Sequence, residues 1–284
     1  KLEFDEVPEP EMIGGGIRIR VRAAGVNFAD SLIIEGKYQV KPLHPFSPGL
    51  EISGQVIECD STVNGIKNGD RVMAIVQFGG YAEEVVVAQQ NVFQIPDSMS
   101  FHVAASFPIA YGTSHIGLKH KLKLKKGETL LVNGAAGGVG LTAVELAKQM
   151  DVKVIAAAGS DRKLAVAKEA GADHLINYNS QDIREKVKIY TKGKGADAVY
   201  DPVGGEAFKA ALRATAQMGR ILVVGFASGD IPQIPANIIL VKNISVIGYY
   251  WGAYQVLEPL ILEKSFSELF EWFNLGQLNP QISQ

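Results

Sequence analysis

Two rhythms of apolar and polar positions divide the chain. In the first 107 residues or so, short alternating runs dominate: 17–21 reads Ile-Arg-Ile-Arg-Val, the pattern of a strand buried on one face. Further strands are predicted at 52–57, 71–76 and 83–87, bounded by turns such as Asn68-Gly-Asp70 and Gly79-Gly80. A β-rich barrel or sandwich is expected there. From about Tyr111 the rhythm changes. Strands are predicted at 129–133, 152–158, 175–177, 198–201, 221–224 and 244–249, with helices at 141–150, 162–170 and 207–216. Strands separated by helices imply a parallel sheet with right-handed crossovers, an α/β architecture. The stretch 253–284 reads as helical.

The most informative segment is Gly134-Ala-Ala-Gly-Gly-Val-Gly140, directly after a predicted strand and before a predicted helix. In that context a glycine turn can hold a pyrophosphate on free backbone N–H groups at a helix N-terminus. Gly137 would let the backbone approach the phosphates, and Gly140 would let the helix pack closely on the strand. Ala135 takes the place of the first glycine of the usual G-x-G-x-x-G spacing, so the match is A-x-G-x-x-G.

The second strand decides between dinucleotides. It ends Ala156-Ala-Ala-Gly-Ser160, with no carboxylate at its tip to bind a ribose 2′-hydroxyl. Ser160 can donate a hydrogen bond, Lys163 supplies positive charge, and Tyr178 could close over the same corner. NADPH is therefore expected. Asp161 opposes this unless it points to solvent, and the other reading of Lys163 is a solvated helix start.

Composition narrows the classes. Apolar residues make up 47% and charged residues 20% of the 284, enough for a sizeable core. With 28 basic against 30 acidic residues the net charge is −2, which argues against a nucleic-acid partner. No apolar run is long enough to span a bilayer, so no membrane partner is expected. The single cysteine, Cys59, excludes a disulfide framework and a Cys-rich zinc site. Cys59 has no basic neighbour and reads as inert. His115, His120 and the lysine-rich run 119–126 read as structural or solvated features.

Five segments together resemble a known family: Ala23-Ala-Gly-Val-Asn-Phe-Ala-Asp30, Asn68-Gly-Asp-Arg-Val72, Ala110-Tyr-Gly-Thr113, the 134–140 loop, and Asp201-Pro-Val-Gly-Gly205. The chain resembles the medium-chain dehydrogenase/reductases, and within them the zinc-free, zeta-crystallin-like quinone oxidoreductases. Pro235 to Asn243, with Tyr250-Trp-Gly252, looks most like the quinone oxidoreductase-like members.

The resemblance implies a GroES-like catalytic domain at 1–110, to which 251–284 returns, and a Rossmann NADPH-binding domain at 111–250. It implies an active site in the cleft between them, and a homodimer made by edge strands around 238–249. Gly137, Gly138, Val139 and Gly140 would hold the pyrophosphate; Gly159, Ser160, Lys163 and Tyr178 the 2′-phosphate. Thr113 and Phe226 would lie against the nicotinamide. Asn27 and Tyr38 would line the substrate side, where their amide and hydroxyl could stabilise negative charge developing on oxygen. Leu32 stands where some relatives carry a second tyrosine.

Zinc-dependent relatives have Cys at the position of Asn27 and His at that of Leu50. Their third ligand falls near Ala105, where only His102 is at hand, so no catalytic zinc is expected. The expected activity is NADPH-dependent reduction of a quinone. The alternatives are reduction of the C=C bond of 2-enals, enones or enoyl thioesters, and a non-catalytic NADPH-binding role, structural or RNA-associated. A cytoplasmic location is expected. The alternative is a mitochondrial one, because the N-terminus reads as incomplete beside the family's opening strand.

Overall fold

The computed structural model describes residues Leu2–Ile282. Lys1, Ser283 and Gln284, at the ends of the expected segments, lie outside them. The chain forms two compact units. One takes the chain up to Ile109 together with the segment from Pro280; the other is Ala110–Asn279.

The first unit holds β1 (Gly16–Ala24), α1 (Phe28–Ile34), β2 (Glu51–Cys59), β3 (Arg71–Ile75), β4 (Glu84–Ala88), β5 (Val92–Gln94) and α2 (Phe101–Ala105). Its five strands form one antiparallel sheet in the order β4-β1-β2-β3-β5. The alternation in β1 does what it predicts. Ile17 and Ile19 are fully buried, while Arg18 meets Glu58 at 2.9 Å and Arg20 meets Glu84 at 3.1 Å on the other face. Register slips between β1 and β2 curl the sheet. Gly54 permits the closest approach, since a Cβ there would lie 2.1 Å from the Arg20 carbonyl oxygen.

The second unit begins within α3 (Phe107–Ile116), which runs into a wide π turn at Gly117–Lys121. It continues through β6 (Thr129–Asn133), α4 (Gly138–Gln149), β7 (Lys153–Ala158), α5 (Asp161–Glu169), β8 (His174–Asn177) and α6 (Ile183–Tyr190). Then come β9 (Ala196–Asp201), α7 (Gly205–Ala214), β10 (Thr215–Val223), α8 (Ala236–Lys242), β11 (Ser245–Gly248), the single turn α9 (Tyr254–Leu257) and α10 (Pro259–Asn274). The six strands are all parallel, in the order β11-β10-β9-β6-β7-β8. The curled antiparallel sheet and the Rossmann sheet agree with the expected fold class.

Two expectations are corrected. Residues 251–279 fall in the second unit instead of returning to the first. The apolar face of α10 (Leu262, Phe266, Leu269) is buried there, and α10 is tied to α3 where His115 Nδ1 meets Ser265 Oγ at 2.8 Å beneath Trp272. Burial pushes the His115 imidazole down to about 4, so it is neutral at physiological pH. Second, the expected edge strands around 238–249 are half helix: α8 ends at Asn243, in the left-handed conformation (φ 51°), and only β11 forms the sheet edge. Beyond these, α1, α2, α3, α6 and α8 were not anticipated. Among the lysines of the 119–126 run, Lys119 pairs with Glu268 and Lys126 with Asp151.

Candidate functional site

Each unit carries one cluster of candidate residues. In the second unit the glycine loop leaves β6 and opens α4. Gly134 turns at φ +61°, and Gly137 caps the helix without any side-chain hydrogen bond to the first turn. The first turn also lacks acidic residues, so the helix N-terminus presents N–H groups and positive potential that neither its cap nor its own first turn quenches. Space is distributed unevenly. A Cβ on Gly138 would meet nothing within 4 Å, and one on Gly137 would lie 3.4 Å from the Gly134 carbonyl oxygen. On Gly140 it would lie 2.2 Å from that oxygen. Gly140 therefore serves packing, while Gly137 and Gly138 leave an open cradle that fits a pyrophosphate. The loop is held from below: Ser114 Oγ donates to the Val139 carbonyl at 2.7 Å, and the Ala135 N–H donates to Ala157 at 3.1 Å.

At the tip of β7 the structure brings together Gly159, Ser160, Lys163 and Tyr178. A Cβ on Gly159 would lie 3.2 Å from the Tyr178 ring, so the ring covers this glycine. Ser160 caps α5, its hydroxyl oxygen accepting the Lys163 N–H at 3.4 Å while its O–H stays available to donate. Asp161 is drawn aside by Asn177, whose amide donates to it at 2.8 Å. Lys163 is exposed and has no ion-pair partner among the described residues. The corner thus offers a cation, a hydroxyl and a ring, with the Asp161 carboxylate already engaged.

Thr113 is buried on α3, and its carbonyl accepts the Tyr249 hydroxyl at 2.9 Å. Phe226, after β10, packs on Gly204, where a Cβ would lie 3.1 Å from its ring. Sequence reasoning missed Asp201, which closes this end of β9. It is fully buried, accepting from Asn133 Nδ2 at 2.7 Å and the Gly204 N–H at 3.0 Å. Burial pushes its carboxyl above the usual range. The Asp-Pro-Val-Gly-Gly motif, with its carboxylate ahead of a glycine turn, was the available signal.

In the first unit, Asn27 opens α1. Its Nδ2 donates to Glu51 Oε1 at 2.7 Å, and the other carboxyl oxygen of Glu51 accepts the Ile109 N–H at 2.8 Å. Glu51 is completely buried, and desolvation pushes its carboxyl up to about 8. Beside it, Asp30 accepts from the Asn27 N–H at 2.7 Å, the Tyr81 hydroxyl at 2.9 Å and the Gly49 N–H at 3.2 Å. Sequence reasoning missed Glu51, Asp30 and Tyr81. Glu51 had a signal, as a carboxylate opening an apolar strand. Tyr38 lies half-buried in the loop after α1. Leu50 is buried, and among the described residues no group of three His, Cys, Asp or Glu is placed to hold a metal ion.

The family model "Alcohol dehydrogenase GroES-like domain" matches residues 14–97, and "Zinc-binding dehydrogenase" matches 138–272. The chain is 47% identical over 269 residues to a quinone oxidoreductase-like protein 2 homolog of Nematostella vectensis, covering 94% of this chain and 74% of that protein. It is 41% identical to quinone oxidoreductase-like protein 2 of Bos taurus over 284 residues, covering 100% and 81%. Among solved structures, the quinone oxidoreductase of Escherichia coli complexed with NADPH superposes with a TM-score of 0.91 at 29% identity, covering 98% of this chain and 86% of that one. The quinone oxidoreductase of Pseudomonas syringae pv. Tomato DC3000 gives 0.91 at 31% identity, with the same coverage of 98% and 86%.

Proposed function

The chain belongs to the medium-chain dehydrogenase/reductase family, among its quinone oxidoreductase-like members, and from that premise we propose that it is an NADPH-dependent reductase acting on a quinone without a catalytic metal ion. The observation that carries the cofactor assignment is the corner at the tip of β7. There Asp161 is occupied by Asn177, and Ser160, Lys163 and Tyr178 remain for a 2′-phosphate. Asn27 and Leu50, at two positions where zinc-dependent relatives carry metal ligands, support the metal-free reading.

When bound, NADPH supplies hydride; the protein supplies position and charge. The N–H groups of Gly138, Val139 and Gly140 hold the pyrophosphate, with Gly137 giving it room. Thr113 and Phe226 flank the nicotinamide end. On the substrate side, the Asn27 amide and the Tyr38 hydroxyl donate to the quinone oxygen as negative charge develops there. Glu51 positions Asn27 through the bond at 2.7 Å. Its raised pKa keeps the carboxyl largely protonated at neutral pH, so Glu51 itself adds little negative charge against the charge that develops there. Water is the final proton source. Quinones accept electrons readily, so no strong general acid is needed.

Two measurements test this. NADPH oxidation is expected with a quinone panel and not with 2-enals; turnover confined to 2-enals would replace the quinone with a conjugated C=C bond as the acceptor. Lys163→Ala is expected to weaken NADPH binding by about ten-fold or more, the loss of one charge-assisted contact of roughly 1.5–3 kcal/mol, with NADH affinity unchanged. Equal losses for the two dinucleotides in equilibrium titrations would remove the 2′-phosphate assignment.

A further inference from the structure

At the opposite edge of the parallel sheet from the glycine loop, an open groove of about 480 Å³ is lined by five cationic side chains. They are Arg184 and Lys188 of α6, Lys194 of the turn before β9, Arg213 of α7 and Lys242 of α8. Among the described residues no carboxylate lines it. Among the described residues only Lys194 has an acidic partner, Asp197 at 2.7 Å. The glycine loop follows the C-terminal end of β6, whereas this groove lies where the parallel strands β9 and β10 begin. A six-residue strand such as β9 separates the two edges by roughly 20 Å. The groove is therefore separate from the cofactor cradle.

Helix ends explain part of the charge. Lys188, Arg213 and Lys242 each lie in the last turn of a helix, and each helix C-terminus carries roughly half a negative charge. The Lys242 amine also donates to the carbonyls of Arg213, at 3.0 Å, and Thr215. Three helix ends and Asp197 still leave a surplus of roughly two and a half positive charges over five cations. Arg184 and Lys188, four residues apart, share a helix face, where like charges repel. Burial and the charges of Arg184 and Lys188 hold the Lys242 amine below its ordinary value, so repulsion is felt inside the groove.

The groove is also shaped. Gly195, at φ +91°, is pressed against α7, where a Cβ would lie 2.6 Å from the Ala214 carbonyl oxygen. Its N–H is held by Thr191 Oγ1 at 2.8 Å, which fixes the turn that carries Lys194. A surplus of positive charge held unpaired on a fixed backbone, with Asn237 as a neutral donor in the same wall, calls for a compact multivalent anion. We propose that this groove binds a small polyanion bearing two or more phosphoryl groups, of the pyrophosphate or bisphosphate class.

The test is calorimetric titration of the whole protein with inorganic pyrophosphate at about 0.15 M salt, with and without saturating NADPH. Sub-millimolar binding that persists in the presence of NADPH is expected. The exposed double substitution Arg184→Ala/Lys188→Ala is expected to weaken it at least ten-fold, with no fall in Tm at low salt because a like-charge repulsion is relieved. Lys188→Met alone is expected to weaken it by a smaller factor. Free inositol bisphosphate and vesicles carrying phosphatidylinositol bisphosphate separate a soluble from a lipid-borne source, and binding of either supports the shared chemistry. Three results would overturn the proposal. The first is no binding of pyrophosphate up to about 1 mM. The second is affinity unchanged in both variants, or a lowered Tm without any change in binding, which would make the cations helix-end caps. The third is binding of a single-stranded oligonucleotide that pyrophosphate cannot displace.

Discussion

Replacing Gly140 with alanine is expected to destabilise the second unit by about 3 kcal/mol or more, at the upper end of the range for overpacking. The added methyl would lie 2.2 Å from the Gly134 carbonyl oxygen and 2.9 Å from its carbon. Both are backbone atoms of a loop pinned by Ser114 and Ala157, so they cannot yield cheaply. For a domain of this size the Tm of that unit should fall by roughly 6–12 °C. Gly137→Ala is the contrasting case. Its Cβ meets its nearest neighbour at ordinary contact distance, and φ there is −82°, which alanine adopts freely. Its stability cost should not exceed about 1 kcal/mol, the difference between glycine and alanine at a helix cap. Its NADPH affinity should fall at least ten-fold, since the methyl occupies the approach to the pyrophosphate. Calorimetric unfolding and cofactor titration on the two variants should therefore give opposite profiles. If Gly137→Ala binds NADPH as the parent does, the cradle is misassigned.

Glu51 should make the stability of the first unit pH-dependent in a direction unusual for a carboxylate. Its native pKa of about 8 stands above the ordinary 4.5. Below pH 4.5 the carboxyl is protonated in both the folded and unfolded chain and adds no slope. Between those values the folded chain holds one more proton, so stability falls by about 1.4 kcal/mol for each unit of rising pH. Above 8 the group is ionised in both states and the slope ends. The loss from pH 5 to 8 is on the order of 4 kcal/mol. Glu51→Gln cannot ionise and still accepts a hydrogen bond from Asn27, but its NH2 cannot accept the Ile109 N–H. Its stability should lie about 1–3 kcal/mol below the parent's near pH 5, for that unpaired N–H, and pass above the parent's by pH 9. Denaturant unfolding across that range checks this. Parallel curves for parent and variant would mean that Glu51 titrates like an ordinary carboxyl.

The parallel sheet was legible because its strands are short apolar runs and α4, α5 and α7 carry clear apolar faces between them. α6 was invisible for the opposite reason: only Ile183 and Val187 turn inward, amid charged residues. α1 was hidden likewise, with Asp30 and Ile33 as its buried residues. The glycine loop and the Ser160 corner could be read because each lies within a few residues of a strand end. The Asn27–Glu51–Ile109 linkage could not, since it joins residues 24 and 58 positions apart. No local period encodes such a meeting. The stretch 253–284 read only as helical, with nothing local to name the surface that receives α10; the bond from His115 to Ser265 shows it.

The strand order has a metric consequence. β6 stands at the point where the order reverses, with β7 and β8 to one side and β9, β10 and β11 to the other. On the proposed assignment, the residues after β7 and β8 grip the adenosine end of the dinucleotide, and Phe226 after β10 meets the other end. From β8 to β10 is four strand spacings, roughly 19 Å. The sheet thus works as a ruler laid along an extended molecule, with its graduations set by backbone hydrogen bonds and not by side chains. Substitutions at the adenosine end can retune which dinucleotide is chosen while the distance to the reacting end stays as it was. Affinity and chemistry can then be altered separately.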